Sequence, residues 1–231
     1  MISQLGAVAT LSALVRTSLL IIGALFPIIN PLGNAPIFLS LTSGYPGEVR
    51  TAIARRVAIN GFCLLVVSVL IGTHILAFFG ISLPVVQVGG GMVVVATGWS
   101  LLTRSDDEDS ERSGAKSTQP SELADQAFYP LTLPLTVGPG SISVAITVGA
   151  NHAPGSETSW FLPVAALLGS SVLGLSIYLS YRFAESIARV LGATAMNVIL
   201  RLSSFILLCI GVQIAWNGVS ELLGSVVRFR A

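Results

Sequence analysis

Apolar positions in this chain come in long runs with almost no charge inside them. The runs are close to the roughly 20 residues that cross a bilayer core. Six of them cover about 17–43, 57–79, 81–102, 127–151, 158–181 and 197–223. The first five contain no Asp, Glu, Lys or Arg; the sixth carries Arg201 near its start and Glu221 near its end. A span in lipid has no water to satisfy its backbone, so each run is predicted to be helical, broken only where protein or a cavity shelters the break. The pattern predicts an all-α membrane protein of six transmembrane helices. The first run does not read as a cleavable signal peptide. Only Arg16 precedes it, and it continues through Pro27, Asn30 and Pro31 without a small-residue cleavage pattern.

Composition agrees. Of 231 residues, 53% are apolar and 10% charged, whereas a soluble domain carries about 25% charge. A net charge of +1 excludes nucleic acid as a partner. Cys63 and Cys209 lie in separate apolar runs, which argues against a disulfide framework or a Cys-based metal site. Charge also orients the chain. With six spans, Arg16, Arg228 and Arg230 share one side with both termini, and the other nine of the 12 cations share the opposite side. The positive-inside rule then predicts the three cation-bearing loops in the cytoplasm and both termini outside.

One hydrophilic stretch, 104–126, holds seven of the 11 acidic residues. It lacks the glycine turn and spaced ligands of a calcium loop and reads as a solvated cytoplasmic linker. It divides the chain into 1–103, with three spans, and 127–231, with three more. An odd number of spans per half means that a duplicated half is inserted upside down. A duplication is visible. Pro27, Pro31 and Pro36 map onto Pro130, Pro134 and Pro139 at a constant offset of 103, with Phe26 on Tyr129 and Ser40 on Ser143.

Those prolines predict broken first and fourth helices. Proline removes a donor and clashes with the carbonyl four residues back. Pro27 and Pro31 free the carbonyls of Gly23 and Pro27; Pro130 and Pro134 free those of Gln126 and Pro130. Gly33, Gly138 and Gly140 let the backbone turn, and a half-helix restarts after each break, with Asn34 expected as the N-cap before Pro36. Both half-helix N-termini are expected near the bilayer midplane, where unpaired N–H groups and partial positive charge suit a carboxylate. Freed carbonyls suit an ammonium group or a small cation. The candidate substrate-binding residues are Asn30, Pro31, Gly33, Asn34, Pro36, Thr132, Pro134, Thr136, Gly138, Gly140 and Ser141.

Other polar residues in the spans have structural readings. His74 reads as interfacial and Arg201 as snorkelling to the cytoplasmic interface. Asn60, Gln87, Gln213 and Asn217 are expected to bond between helices, with Gln87 and Gln213 also candidates to line a pathway. Ala166, Ser170 and Gly174 form a close-packing face, and Gly89-Gly90-Gly91 suggests close backbone approach. No embedded carboxylate relay, phosphate-binding loop, metal spacing or nucleophile–base pair is visible. No enzyme activity and no cofactor are expected.

At Asn30-Pro31-Leu32-Gly33-Asn34-Ala35-Pro36-Ile37-Phe38-Leu39-Ser40-Leu41-Thr42 the chain resembles the MarC family of bacterial and archaeal membrane proteins, which includes the SnatA-type small neutral amino acid transporters. Gly138-Pro139-Gly140-Ser141-Ile142 is similar to the family's second signature. Phe79 to Ser82 with Gly90-Gly91, and Arg201-Leu202 with Gly211-Val212-Gln213 and Asn217-Gly218, are similar to its third and sixth spans. The resemblance implies inverted three-helix repeats, residence in the cytoplasmic membrane, and movement of glycine, alanine and similar solutes. Gln87 departs from the arginine expected in many relatives, which bears on substrate choice or coupling.

The resulting expectation is a secondary transporter working by alternating access, with a small zwitterionic amino acid, the lipid bilayer and a coupling ion (H⁺ or Na⁺) as partners. The alternatives are an exporter of another small solute linked to drug resistance, and a non-transporting membrane partner protein.

Overall fold

A computed structural model describes residues 2–103, 125–151 and 161–228. The acidic stretch through residue 124 falls outside the described residues. Among the described residues there are only helices: α1 (Ile2–Ile29), α2 (Pro31–Leu41), α3 (Gly47–Phe78), α4 (Leu83–Thr103), α5 (Ala127–Thr136), α6 (Pro139–Ala150), α7 (Leu162–Arg182) and α8 (Ala184–Arg228). Five are long and apolar enough to cross a membrane, and α5 with α6, bent by 67°, makes a sixth span if the pair is counted as one. Phe78, Trp99, Leu175 and Val198 are among the large apolar side chains left exposed on these helices. In water such a surface would aggregate; against lipid it is the expected exterior.

The first span differs from the expected 17–43 run. α1 starts at Ile2, and its apolar stretch Leu11–Ile29 is 19 residues long, about 28 Å and so long and apolar enough to cross a bilayer. Arg16 does not start the helix because a lone arginine costs no helix geometry and here lies exposed on the side of α1. α8 is likewise interrupted, at Gly192 (φ 72°), a left-handed geometry that favours glycine.

α3 packs on α5, α6 and α7, α1 on α6 and α7, α2 on α7 and α8, and α4 on α6 and α8. Small residues permit these approaches, as expected where lipid supplies no hydrophobic drive between helices. The α4–α8 seam shows it best. As the α4 position rises through Val88, Gly91, Val95 and Gly98, its partner on α8 falls through Gly218, Ala215, Gly211 and Leu208. The two helices are therefore antiparallel, with glycine from each meeting backbone of the other. Gly91 sits in such a contact, Gly90 packs instead on Ser143 of α6, and Gly89 faces open space. Ala166 and Ser170 are fully buried on α7, and a Cβ at Gly174 would lie 3.4 Å from Ala58 O.

Three connections meet at one end of the bundle. Tyr45, after α2, donates its hydroxyl to Gln126 Oε1 ahead of α5 at 2.6 Å. Arg50, in the first turns of α3, pairs with Glu185 at the start of α8 at 2.9 Å and donates to Tyr45 O at 3.2 Å. The stretches predicted to be cation-bearing loops thus share one face.

Candidate functional site

The site begins with how each broken helix restarts. Asn30 has φ 44° and ψ 61°, and its side chain accepts from Gly33 N at 3.1 Å. Asparagine tolerates this left-handed geometry, and an Asn side chain is a strong N-cap. α2 therefore starts at Pro31, with proline in the first helical position, and runs on through Pro36. Asn34 is not the N-cap expected from the sequence, because Asn30 has already reset the backbone four residues earlier. Asn34 instead donates its Nδ2 to Ile29 O at 2.9 Å and to Leu135 O at 3.1 Å. One side chain thereby spans the break after α1 and reaches the break after α5.

The second break is built differently. Tyr129 (ψ 124°) and Leu133 (ψ 128°) leave helical geometry inside α5. Leu133 is the residue the 103-residue offset pairs with Asn30. The wide turns are held by hydrogen bonds reaching five residues back: Val137 N to Thr132 O at 2.8 Å, Thr132 Oγ1 to Ala127 O at 2.6 Å, and Thr136 Oγ1 to Leu131 O at 2.6 Å. The threonine hydroxyls bond Ala127 O and Leu131 O, each one residue past the carbonyl that a proline frees, and so hold the widened turns. Thr136 also bonds Tyr181 OH at 2.8 Å, and Asn60 Nδ2 reaches Thr132 Oγ1 at 3.5 Å.

α6 then starts at Pro139 with Gly138 as an N-cap that has no side chain to offer. The first bond of the new helix is Ile142 N to Gly138 O at 3.1 Å. The N–H groups of Gly140 and Ser141 precede it and are the orphan donors of a helix start. Ser141 Oγ does not cap them; it donates to Gly138 O at 2.9 Å. The two half-helix N-termini are therefore unequal. In α2 the Gly33 N–H is taken by the Asn30 side chain, while its counterpart in α6, the Ser141 N–H, has no side-chain cap.

A cavity of about 70 Å³ lies at this junction. It has room for about two water molecules at roughly 30 Å³ each. Asn34, Pro134, Thr136, Gly138, Gly140 and Ser141 line it, with Val93, Val94 and Thr97 of α4 and Leu207 of α8 opposite. Of the sequence candidates, these six come together. Asn30, Pro31, Gly33, Pro36 and Thr132 are not part of the lining; Asn30 and Thr132 hold the backbone at the two breaks. α4's wall was missed from the sequence, since Val93, Val94 and Thr97 carry no signal beyond an apolar helix. His74, Arg201, Gln213 and Asn217 are exposed, and Gln213 Nε2 bonds Asn217 Oδ1 on the same helix at 2.8 Å. No group of three or more His, Cys, Asp or Glu residues that could hold a metal ion occurs among the described residues.

Known proteins share this arrangement of sequence. The profile of the MarC family integral membrane proteins matches residues 15–223. The chain belongs to the MarC family. It is 32% identical over 197 residues to the UPF0056 membrane protein YvbG of Bacillus subtilis, covering 85% of this chain and 90% of that protein. It is 30% identical over 203 residues to the UPF0056 inner membrane protein MarC of Escherichia coli O157:H7, covering 86% and 92%. The UPF0056 membrane protein MJ1677 of Methanocaldococcus jannaschii is 31% identical over 201 residues, covering 87% and 95%. No solved structure matches. As a MarC family member the chain is an integral membrane protein of multiple apolar helices, and its paired helix breaks fall within the matched residues.

Proposed function

We propose that this MarC family protein is a secondary transporter of a small zwitterionic solute, of the glycine and alanine class, in the cytoplasmic membrane. One observation carries the reading: the cavity sits against the uncapped N-terminus of α6 and beside the amide of Asn34. A carboxylate placed there takes the N–H groups of Gly140 and Ser141 together with the positive end of the α6 dipole. With its Nδ2 committed to two carbonyls, Asn34 has its amide oxygen left to accept from the solute's ammonium group. Apolar Val93, Val94 and Leu207 leave space only for a short side chain. No enzyme chemistry is assigned to this site.

Broken helices meeting inside the fold are the expected seat of solute in inverted-repeat transporters. The inverted duplication draws support from packing. Exchanging α1 with α5, α2 with α6, α3 with α7 and α4 with α8 turns each principal helix contact into another that is also present. In the α4–α8 seam the exchange shifts residues by 120. Gly91 on Ala215 becomes Gly211 on Val95, and Gly98 on Leu208 becomes Gly218 on Val88. Movement of the two halves about that axis alternates access, driven by a gradient of H⁺ or Na⁺. The cation-rich end, where Tyr45, Gln126, Arg50 and Glu185 meet, is cytoplasmic, and both termini are outside.

The test is ligand stabilisation of purified protein. Glycine and alanine are expected to raise the melting temperature, by about 2.7 kcal/mol of added stability at a hundredfold excess over Kd. Alaninamide, which lacks the carboxylate, is expected to have no effect. Equal stabilisation by alaninamide would refute the carboxylate site.

A further inference from the structure

From the cavity, the contact between α4 and α6 continues toward the ends of these helices that lie away from the convergent loops. The two run antiparallel: Val94 meets Gly140, Gly90 meets Ser143, and Gln87 meets Thr147. Clearance is minimal. A Cβ on Gly140 would collide with the Val94 side chain, and one on Gly90 would lie 2.5 Å from Ser143 Cβ. Beyond the Val94–Gly140 contact this seam is bonded by side chains across it, unlike the seam between α4 and α8, where glycines meet backbone. Ser143 Oγ donates to Val86 O at 3.0 Å, Thr147 Oγ1 to Ser143 O at 2.9 Å, and Gln87 Nε2 to Thr147 Oγ1 at 3.4 Å.

Every hydroxyl hydrogen on the seam is thus given away, and one acceptor is left over. Gln87 is 9% exposed, and its Oε1 is shielded with no hydrogen-bond partner. Turning the amide over only moves the orphan, because the Thr147 hydrogen already sits on Ser143 O. A buried acceptor without a donor disfavours the closed seam. It gains a partner when the helices part.

We propose that the α4–α6 seam is the gate between the cavity and the outer face, with Gln87 as its contact residue. When the gate opens, the Gln87 amide oxygen accepts a hydrogen bond from the passing solute's ammonium group. This rests on the transport reading above. The sealed glycine contacts at Gly90 and Gly140 close the route in the present state, and the three polar side chains line it once α6 swings away. The α4–α8 seam, where glycines meet backbone across the contact and the hydroxyl of buried Ser204 is committed to Leu200 O, stays shut throughout the cycle.

The experiment uses the full chain with Cys63 and Cys209 replaced by alanine, reconstituted in liposomes. A Gln87→Cys variant is treated with a membrane-impermeant thiosulfonate from the face bearing the start of α4. Labelling is expected, at a rate that saturating alanine changes several-fold. No labelling with or without alanine, while a Ser82→Cys control on the exposed loop labels fully, would overturn the gate. This readout needs no transport, so it stands apart from failure of the wild type to move amino acids. For uptake, Gln87→Leu is expected to lower the maximal rate about tenfold with the half-saturating concentration unchanged, and Gln87→Asn to restore part of it. Wild-type uptake by Gln87→Leu would overturn the role of the amide oxygen. Bridging Gln87→Cys to Thr147→Cys with a short bis-thiosulfonate is expected to stop uptake until reduction; uptake unaffected by the bridge would also overturn the gate.

Discussion

Asn34 joins the two halves of the site with one side chain. Its amide nitrogen serves Ile29 O from the first break and Leu135 O from the second. Asn34→Ala would leave both carbonyls without that donor, and a lost buried partner costs about 1–3 kcal/mol. Thermal unfolding in detergent is expected to show a loss of that size; an unchanged melting temperature would mean the two bonds contribute nothing. Thr136 and Tyr181 form a second pair, 2.8 Å apart. Thr136→Val and Tyr181→Phe are each expected to destabilise, and the double variant by less than the two separately, because Thr136→Val leaves the buried Tyr181 hydroxyl without its partner and Tyr181→Phe removes the same bond from Thr136. Additive losses would show that the hydroxyls do not interact. The roles of these residues were only partly legible in the sequence. Proline spacing marked the neighbourhood of Asn34, but its double bond depends on Leu135, which is distant along the chain. Nothing local in the sequence connects Tyr181 to Thr136.

At the scale of elements, the prolines announced broken helices, while the places where helices restart were set by other residues. α2 begins at Pro31 because Asn30 adopts a left-handed backbone and caps Gly33, so Pro36 falls inside the helix. α6 begins at Pro139, the residue the sequence pairs with Pro36, because α5 has no capping side chain at Leu133 and winds wide until Gly138. The two breaks thus give unequal N-termini, one with a side-chain cap and one without, and the proline spacing alone does not reveal that difference. The α4–α8 seam yields a prediction at this scale. Gly91 and Gly211 make matching contacts, each meeting backbone of the other helix. Gly91→Val and Gly211→Val are therefore expected to reduce folded protein to a similar degree, measured as monodisperse yield after extraction. A severe loss in one and none in the other would contradict the two-fold reading of that seam.

For the whole molecule, apolar run lengths were enough to give the membrane-spanning, all-helical architecture. They did not give the start of α1, since a single arginine at position 16 interrupts hydropathy without interrupting a helix. Charge counting predicted which connections share a side, and the Tyr45–Gln126 and Arg50–Glu185 contacts gather those connections at one end. An impermeant maleimide applied to intact spheroplasts is expected to label Ser82→Cys and not Gly44→Cys; the reverse pattern would invert the topology. Solute binding at the junction of the two breaks is the claim on which the rest depends. Its most direct test is uptake of radiolabelled glycine and alanine into proteoliposomes holding the purified protein, beside empty vesicles and the Asn30→Ala, Asn34→Ala double variant. Saturable uptake by the native chain, abolished in the correctly inserted double variant, is the predicted result. Undiminished uptake by the double variant, or none by the native chain under proton, sodium and counter-solute gradients alike, would contradict it.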